Sequence, residues 1–191
     1  AALASFVAIA VFHFSEDWEG AGSGLLQAGL ALAILSMPAL LHRTELDAVF
    51  ISLTGHNEAV VISDGLLLLA PVSIGLAAVC IFCLYQGRRH DQAIGAIVSL
   101  LAMITLPPVV GFACYFCLFH SPRNFRETLA DLNLNGFAQW GRIVVPLTLV
   151  AGVLAGLILG LEVRPALSDS LVAASFMTLS ILTVPHMIIP V

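Results

Sequence analysis

Six long apolar segments limit what this chain can fold into more than any other feature of its sequence. With a window of about 20 residues, they cover roughly Ala1–Phe14, Gly24–Leu41, Gly65–Tyr85, Ala93–Phe119, Ile143–Leu161 and Leu171–Val191. Only 10% of the residues are charged, whereas a soluble domain carries about 25%. We therefore predict an all-α fold, a polytopic transmembrane helical bundle with about six membrane segments.

The chain is predicted to form one integral membrane domain over residues 1–191, because no repeat or linker is visible. It begins and ends inside apolar runs without an initiator methionine, so we expect a fragment of a longer protein. Pro107-Pro108 interrupts the fourth segment, which we expect to span with a kink or tilt. Ser121-Pro122 predicts the start of a helix, and residues 44–64 predict a short interfacial helix.

The charged residues exclude several functions. The net charge is −5 and the seven basic residues are scattered, so no nucleic-acid-binding surface is expected. All seven are arginines, and without lysine these residues cannot form a retinal Schiff base. The positive-inside rule predicts one side with Arg88, Arg89 and Arg164, and a cytoplasmic side with Arg43, Arg123, Arg126 and Arg142.

Four cysteines form two C-x-x-C pairs, Cys80/Cys83 and Cys114/Cys117. This spacing superficially resembles a zinc or iron–sulfur pattern. Both pairs lie inside apolar segments, where four thiolates would be costly. We therefore predict that these cysteines act as small apolar residues and neither bind metal nor form disulfides.

Several histidines lie in or beside the apolar segments, namely His13, His42, His56, His120 and His186. A buried imidazole needs a partner where water is absent. A cluster of neutral imidazoles without nearby cysteine favours iron, zinc or copper over calcium or magnesium. The alternative is that each is a satisfied structural residue at a helix end.

His13 belongs to the sequence HFSEDW, in which Glu16 and Asp17 follow within one helical turn. One interpretation is a metal ligand whose tautomer the carboxylates fix. The other is a helix end that reaches water, with Trp18 as an interfacial anchor. Simple alternation of the segments places His13 opposite His42 and His120, so joining them requires a site at mid-depth or a segment broken near Pro38.

Four blocks of the sequence resemble the Brp/Blh (bacteriorhodopsin-related protein) family. They are HFSEDW, MPALLHRTELDAVFISLTG, PPVVGFACYFCLFHSPRN and LTVPHM, in matching order over most of the chain. The YFCLFHSPR block is the most specific. The resemblance implies a multi-pass enzyme of the cell's inner membrane, a β-carotene 15,15′-dioxygenase, which uses iron(II) and O₂ to cleave β-carotene centrally into retinal.

The resemblance also implies roles for individual residues. Iron ligation carries over to His13, His42 and His120. The family pattern has a second histidine four residues after His120, where this chain has Asn124, whose amide oxygen is a weaker ligand. His56 or His186 are candidates to complete the metal shell. The candidate lining of an apolar substrate tunnel consists of Phe112, Tyr115, Phe116 and Phe119, whose alternative role is ordinary packing.

Two other functions stay open at this point. Asn124 favours a non-catalytic carotenoid- or retinal-binding relative that has lost iron. A transporter that uses the histidines as a pathway is disfavoured, because the segments hold few acidic residues and the halves show no repeat. For the interpretation as an enzyme, the expected partners are β-carotene, O₂, the lipid bilayer and a microbial rhodopsin that receives the retinal.

Overall fold

The computed structural model describes residues 2–124 and residue 126, and these residues form helices without any strand. The helices are α1 (Ala2–Ser15), α2 (Gly24–Leu41), α3 (Arg43–Thr54), α4 (Val60–Gln86), α5 (His90–Thr105) and α6 (Pro108–Tyr115). Short 3₁₀ turns at Glu16–Trp18 and Asn57–Ala59 precede α2 and α4, and a π-helical turn, Phe116–His120, follows α6. The predicted all-α class is confirmed for this part of the chain.

Two of the described helices are long and apolar enough to cross a membrane, Gly24–Leu41 and Asn57–Gln86. Helix α1 has 14 residues and α5 has 16, fewer than the about 20 that a span requires. The predicted fifth and sixth segments lie outside the described residues. The predicted count of six spans is therefore not confirmed.

Helix α4 buries small residues and exposes large ones. The side it buries consists of Ser63, Leu66, Ala70, Ser73, Ala77, Cys80 and Leu84. Its large apolar residues Leu68, Val72 and Phe82 are instead exposed, at 80%, 65% and 60%. Small residues at helix contacts and large apolar ones outside are typical of helices surrounded by lipid. This pattern is consistent with membrane association.

The contact between α2 and α4 is tight because small residues meet there. The Leu76 side chain occupies the space where a Cβ on Gly29 would lie. Nearby, Ser36 Oγ and Ser73 Oγ lie 2.9 Å apart, and Ser73 Oγ also donates to the carbonyl of Ala70. Ser36 Oγ likewise lies 3.4 Å from the carbonyl oxygen of Ala33, so either hydroxyl can be the donor between the two serines.

The fourth apolar segment is two helices rather than one kinked span, so that prediction is wrong. Leu106, between α5 and α6, has an extended backbone (φ −111°, ψ 153°), because a following proline disfavours the helical conformation. Helix α6 then folds back along α5. A Cβ on Gly111 would lie 3.0 Å from the carbonyl oxygen of Ala102, and the Phe119 ring occupies the Cβ position of Gly95.

This α5–α6 hairpin changes where the arginines lie. Arg89, just before α5, donates from Nη1 to the carbonyl of Glu19 at 2.7 Å. Arg123, beyond α6, donates to the carbonyl of Asp17. Both arginines thus reach the same turn after α1, and the predicted placement of Arg89 and Arg123 on opposite sides is wrong.

The predicted helix start at Ser121-Pro122 is also wrong, because helical structure continues through these residues to Asn124. Ser121 has helical dihedrals (φ −63°, ψ −45°). In a regular α-helix the ring of Pro122 would clash with the carbonyl of Leu118. The π-helical turn immediately before Pro122 widens the helix at this point.

The helix predicted within residues 44–64 is confirmed as α3, which buries Leu46, Val49 and Phe50. It ends at Gly55, whose φ of 69° is the left-handed conformation that glycine adopts readily. Arg43 at its start pairs with Asp47 and Asp64. The hydrogen bond from Arg43 to Asp64 is the main reason that the pKa of this exposed guanidinium is raised.

Candidate functional site

The end of α1 and the end of the π-helical turn bring two predicted histidines together. The imidazole centroids of His13 and His120 lie 5.0 Å apart, with the rings edge to face. Both residues are buried, at 6% and 3% exposure. The α5–α6 hairpin makes this possible, because it returns His120 to the level of Gly95. The predicted break near Pro38 is wrong, since α2 continues through Pro38 to Leu41.

The side chain of Asp17, in the 3₁₀ turn after α1, contacts both the end of α6 and the π-helical turn that carries His120. Its carboxylate is buried, with 2% exposure. Oδ2 lies 2.7 Å from Nδ1 of His120 and also accepts a hydrogen bond from the hydroxyl of Tyr115. Because a carboxylate only accepts hydrogen bonds, Nδ1 of His120 is the donor. In the neutral imidazole, the remaining ring nitrogen, Nε2, then carries the lone pair.

The two carboxylates that follow His13 therefore contact two different histidines. Oε2 of Glu16 lies 3.5 Å from Nδ1 of His13, while Asp17 serves His120 instead. The alternative interpretation of this segment, with Trp18 as an interfacial anchor, is not supported. Trp18 is fully buried, and its indole stacks on the Phe119 ring with centroids 4.7 Å apart.

Asn124 lies beside the same imidazole. Its Nδ2 is 3.3 Å from Nδ1 of His120 and 3.1 Å from Nε2. Because the two distances are nearly equal, the amide lies beside the ring, close to both nitrogens, rather than along the lone pair of Nε2. His120 and Asn124, four residues apart, thus lie on the same face of the helix.

The aromatic residues proposed for substrate binding surround His120. The Phe116 ring lies 5.1 Å from the imidazole, and Phe112 packs against Phe14 at 5.8 Å. Phe112, Phe116 and Phe119 are partly buried against the core, and Tyr115 is 1% exposed. They form an apolar wall, and their role in substrate binding stays a prediction.

His42 lies apart from this pair. Its Nε2 is 3.0 Å from the carbonyl oxygen of Ile104, near the tip of the hairpin. From Gly95, which meets Phe119, to Ile104 the helix rises by about 14 Å. His56 is exposed after α3, and His186 lies outside the described residues. The structure thus gathers His13, His120 and Asn124, and places His42 and His56 elsewhere.

The donor set fits a metal in part. Among residues 2–124, no three side chains of His, Cys, Asp or Glu are close enough to hold a metal ion. All four cysteines are free thiols, as expected for small apolar residues. His120, with Nδ1 held by a carboxylate, has the arrangement common to metal-binding histidines, and His13 is its imidazole neighbour. These two imidazoles are too few by themselves to hold a metal ion, and His42 does not reach them.

The family assignment rests on one comparison. A family model described as β-carotene 15,15′-dioxygenase matches residues 1–190. The chain belongs to the β-carotene 15,15′-dioxygenase family. No curated protein and no solved structure matches it. Membership in the β-carotene 15,15′-dioxygenase family confirms the resemblance and supports a carotenoid dioxygenase-like function.

Sequence reasoning missed two features of this site. It assigned Asp17 to His13, and it treated Tyr115 as a lining residue rather than a hydrogen-bond donor to Asp17. The prolines gave only a partial signal for these features. Pro107-Pro108 marks the hairpin that brings His120 back, and Pro122 marks the distortion of the helix that carries it.

Proposed function

We propose that this protein cleaves the central 15,15′ double bond of β-carotene with O₂ and releases two molecules of retinal. Both oxygen atoms of O₂ become the aldehyde oxygens of the products, so the reaction needs no further reductant. The observation that carries the proposal is the buried pair His13–His120, with Asp17 behind it, in a chain that the family model covers almost completely.

The proposed cofactor is iron(II), held by His13 and His120. Asn124 is a further candidate through its amide oxygen, and His42 through a rearrangement that frees it from Ile104. His56 and His186 stay candidates that no contact among the described residues supports. When bound, iron(II) supplies the electrons that activate O₂. The residues of the chain bury the site and orient the ligands.

The proposed substrate is a long hydrocarbon, and the surroundings of His120 suit it. Phe112 and Phe116 present partly buried rings on the same side as the imidazole. Tyr115 is buried behind them and contacts the rings of Phe112 and Phe119. A polyene bound against such an apolar surface would be held by the exclusion of water, without any polar contact along its length.

The proposed setting is the cell's inner membrane, which the chain crosses several times. The exposed apolar side of α4 supports contact with lipid, in which β-carotene dissolves. The chain has no lysine to retain retinal as a Schiff base. Hand-off of the product to a microbial rhodopsin is therefore part of the proposal.

The decisive experiment expresses the full-length protein in bacteria that accumulate β-carotene and measures retinal by chromatography. We expect wild-type cells to lose colour and form retinal. The His120→Ala variant should form none while it inserts normally in the membrane. His90→Ala, at an exposed position at the start of α5 that is not a candidate ligand, is the matched control and should keep wild-type yield. Undiminished retinal from His120→Ala would refute the ligand assignment.

A second candidate function is a carotenoid- or retinal-binding protein without iron. Asn124 favours it, because the side chain beside His120 is an amide, a weaker iron ligand than the histidine of the family pattern. Iron analysis of the purified full-length protein separates the two functions. Stoichiometric iron in wild type would exclude the iron-free alternative, and its absence together with bound carotenoid would support it.

A further inference from the structure

Asp17 is buried, and a charge in such a place is costly unless several donors compensate it. Here the donors come from three segments. Tyr115 at the end of α6 and His120 at the end of the π-helical turn both bond to Oδ2, and Arg123 donates to the backbone carbonyl of the same residue. Such convergence on one residue holds its carboxylate in a single orientation.

The π-helical turn is what allows Tyr115 and His120 to share one oxygen. In a regular α-helix, residues five apart point about 140° away from each other. A π-helical turn hydrogen-bonds residue i to i+5 and places those two residues over one another. The turn covers Phe116–His120, so it brings the phenol and the imidazole to the same side, facing Asp17.

We propose that Asp17 is a positioning residue for His120. Its carboxylate holds the imidazole hydrogen on Nδ1 and thereby keeps the Nε2 lone pair directed away from Asp17, available to a metal ion. The significance for catalysis rests on the proposed function, whereas the tautomer itself does not. Tyr115 has the second role, since its hydroxyl fixes the rotamer of the carboxylate.

Replacing the carboxylate of Asp17 with an amide should move the imidazole hydrogen of His120 to the other ring nitrogen. In Asp17→Asn the side-chain oxygen can still accept, but the NH₂ group can equally donate to Nδ1. The imidazole hydrogen would then move to Nε2 and block the metal-binding nitrogen. The Tyr115→Phe variant removes one donor but keeps the carboxylate, so the hydrogen of His120 should stay on Nδ1.

The test measures the tautomer directly. The full-length protein is labelled with ¹⁵N-histidine, kept metal-free in detergent, and observed by NMR at a pH where imidazole is neutral. The His120 signals are assigned by their loss in His120→Asn. We expect His120 to be protonated on Nδ1 in wild type and in Tyr115→Phe, and on Nε2 to a large extent in Asp17→Asn.

Zinc alone, titrated into the metal-free protein, gives a second readout. Asp17→Asn should weaken zinc binding about 10- to 100-fold, the usual effect of removing the partner of a ligating histidine. Asp64→Asn makes the same chemical change at an exposed carboxylate paired with Arg43, and should bind zinc as wild type does.

Either of two results would overturn the proposal. They are a folded Asp17→Asn protein whose His120 tautomer and zinc affinity match wild type, or a wild-type His120 protonated on Nε2. The wild-type measurement keeps the test decisive even if Asp17→Asn fails to fold. The yield of retinal is not part of this test. A wild-type protein that makes no retinal but shows the predicted tautomers would refute the proposed enzyme and leave the positioning role standing.

Discussion

Asp17 and His120 are 103 positions apart in the sequence, and their side chains meet at 2.7 Å in the buried interior. The contact depends on the 3₁₀ turn at Glu16–Trp18, on the hairpin at Leu106-Pro107 and on the π-helical turn. Each of these is a departure from regular α-helix. The site is therefore built where the helices deviate from regular geometry, as is often found for π-helical turns.

Replacing Asn124 with histidine should strengthen metal binding. The amide now lies against the ring nitrogens of His120, and a second imidazole at this position is a better ligand for iron or zinc. We expect at least about tenfold tighter zinc binding, or ~1.4 kcal/mol, measured by titration of the metal-free protein. Asn124→Ala is the control for loss of the amide alone. Unchanged affinity in Asn124→His would show that residue 124 lies outside the metal site.

Alanine at each histidine tests which ones hold the metal. Because His13 lies beside His120 while His42 is bound to the carbonyl of Ile104, we expect His13→Ala to weaken zinc binding more than His42→Ala. We expect His13→Ala to lower the zinc affinity by more than the 10- to 100-fold that is typical when the hydrogen-bond partner of a ligand is removed. A larger loss for His42→Ala would instead indicate that His42 leaves Ile104 and joins the site.

A methyl group at Gly95 should destabilise the hairpin. The Phe119 ring fills the position of that methyl group and cannot easily move, since it stacks on the buried Trp18. We expect Gly95→Ala to lower stability by about 1–3 kcal/mol, seen as a lower thermal unfolding midpoint in detergent. Gly75→Ala is the matched control, because nothing lies within 4 Å of its Cβ position. It should be neutral or stabilise by up to ~1 kcal/mol. Equal midpoints for the two variants would contradict the close contact.

The hydrogen bond between Ser36 and Ser73 should couple α2 to α4. A double-mutant cycle with Ser36→Ala and Ser73→Ala should give a coupling energy of about 0.6–1.7 kcal/mol, the range for such bonds between membrane helices. Ser63→Ala is the control, since Ser63 is buried on the same side of α4 and its hydroxyl has no hydrogen-bond partner among the described residues. Its removal should cost nothing. A coupling near zero would show that the two hydroxyls do not stabilise the helix pair.

The helices of this fold could be predicted from the sequence because their signals are local. Apolar runs located α2 and α4, and the spacing of Leu46, Val49 and Phe50 located α3. Whether a proline ends a helix is harder to predict from the neighbouring residues alone. Pro38 stays within α2, whereas Pro107 ends α5. The difference is that Pro107 is followed by a second proline, so two successive residues lack the hydrogen-bond donor that a continuing helix needs.

The candidate site was predictable only as a set of residue types. HFSEDW and the block ending in His120 indicated which side chains carry chemistry, and the family comparison agrees with that resemblance. Which carboxylate serves which histidine depends on the hairpin and on the π-helical turn. Both are outcomes of packing, exemplified by Phe119 against Gly95, and a pattern of apolar residues carries no information about them.

The hairpin also changes how membrane topology is counted. If this hairpin enters and leaves a bilayer through the same leaflet, it adds nothing to the number of crossings, and Arg88 and Arg123 lie on the same side of the membrane. Reporter tags placed at these two arginines should consequently be labelled by the same impermeant reagent, applied from the same side of the membrane. A hydropathy plot that scores residues 93–119 as one crossing would instead place these two arginines on opposite sides.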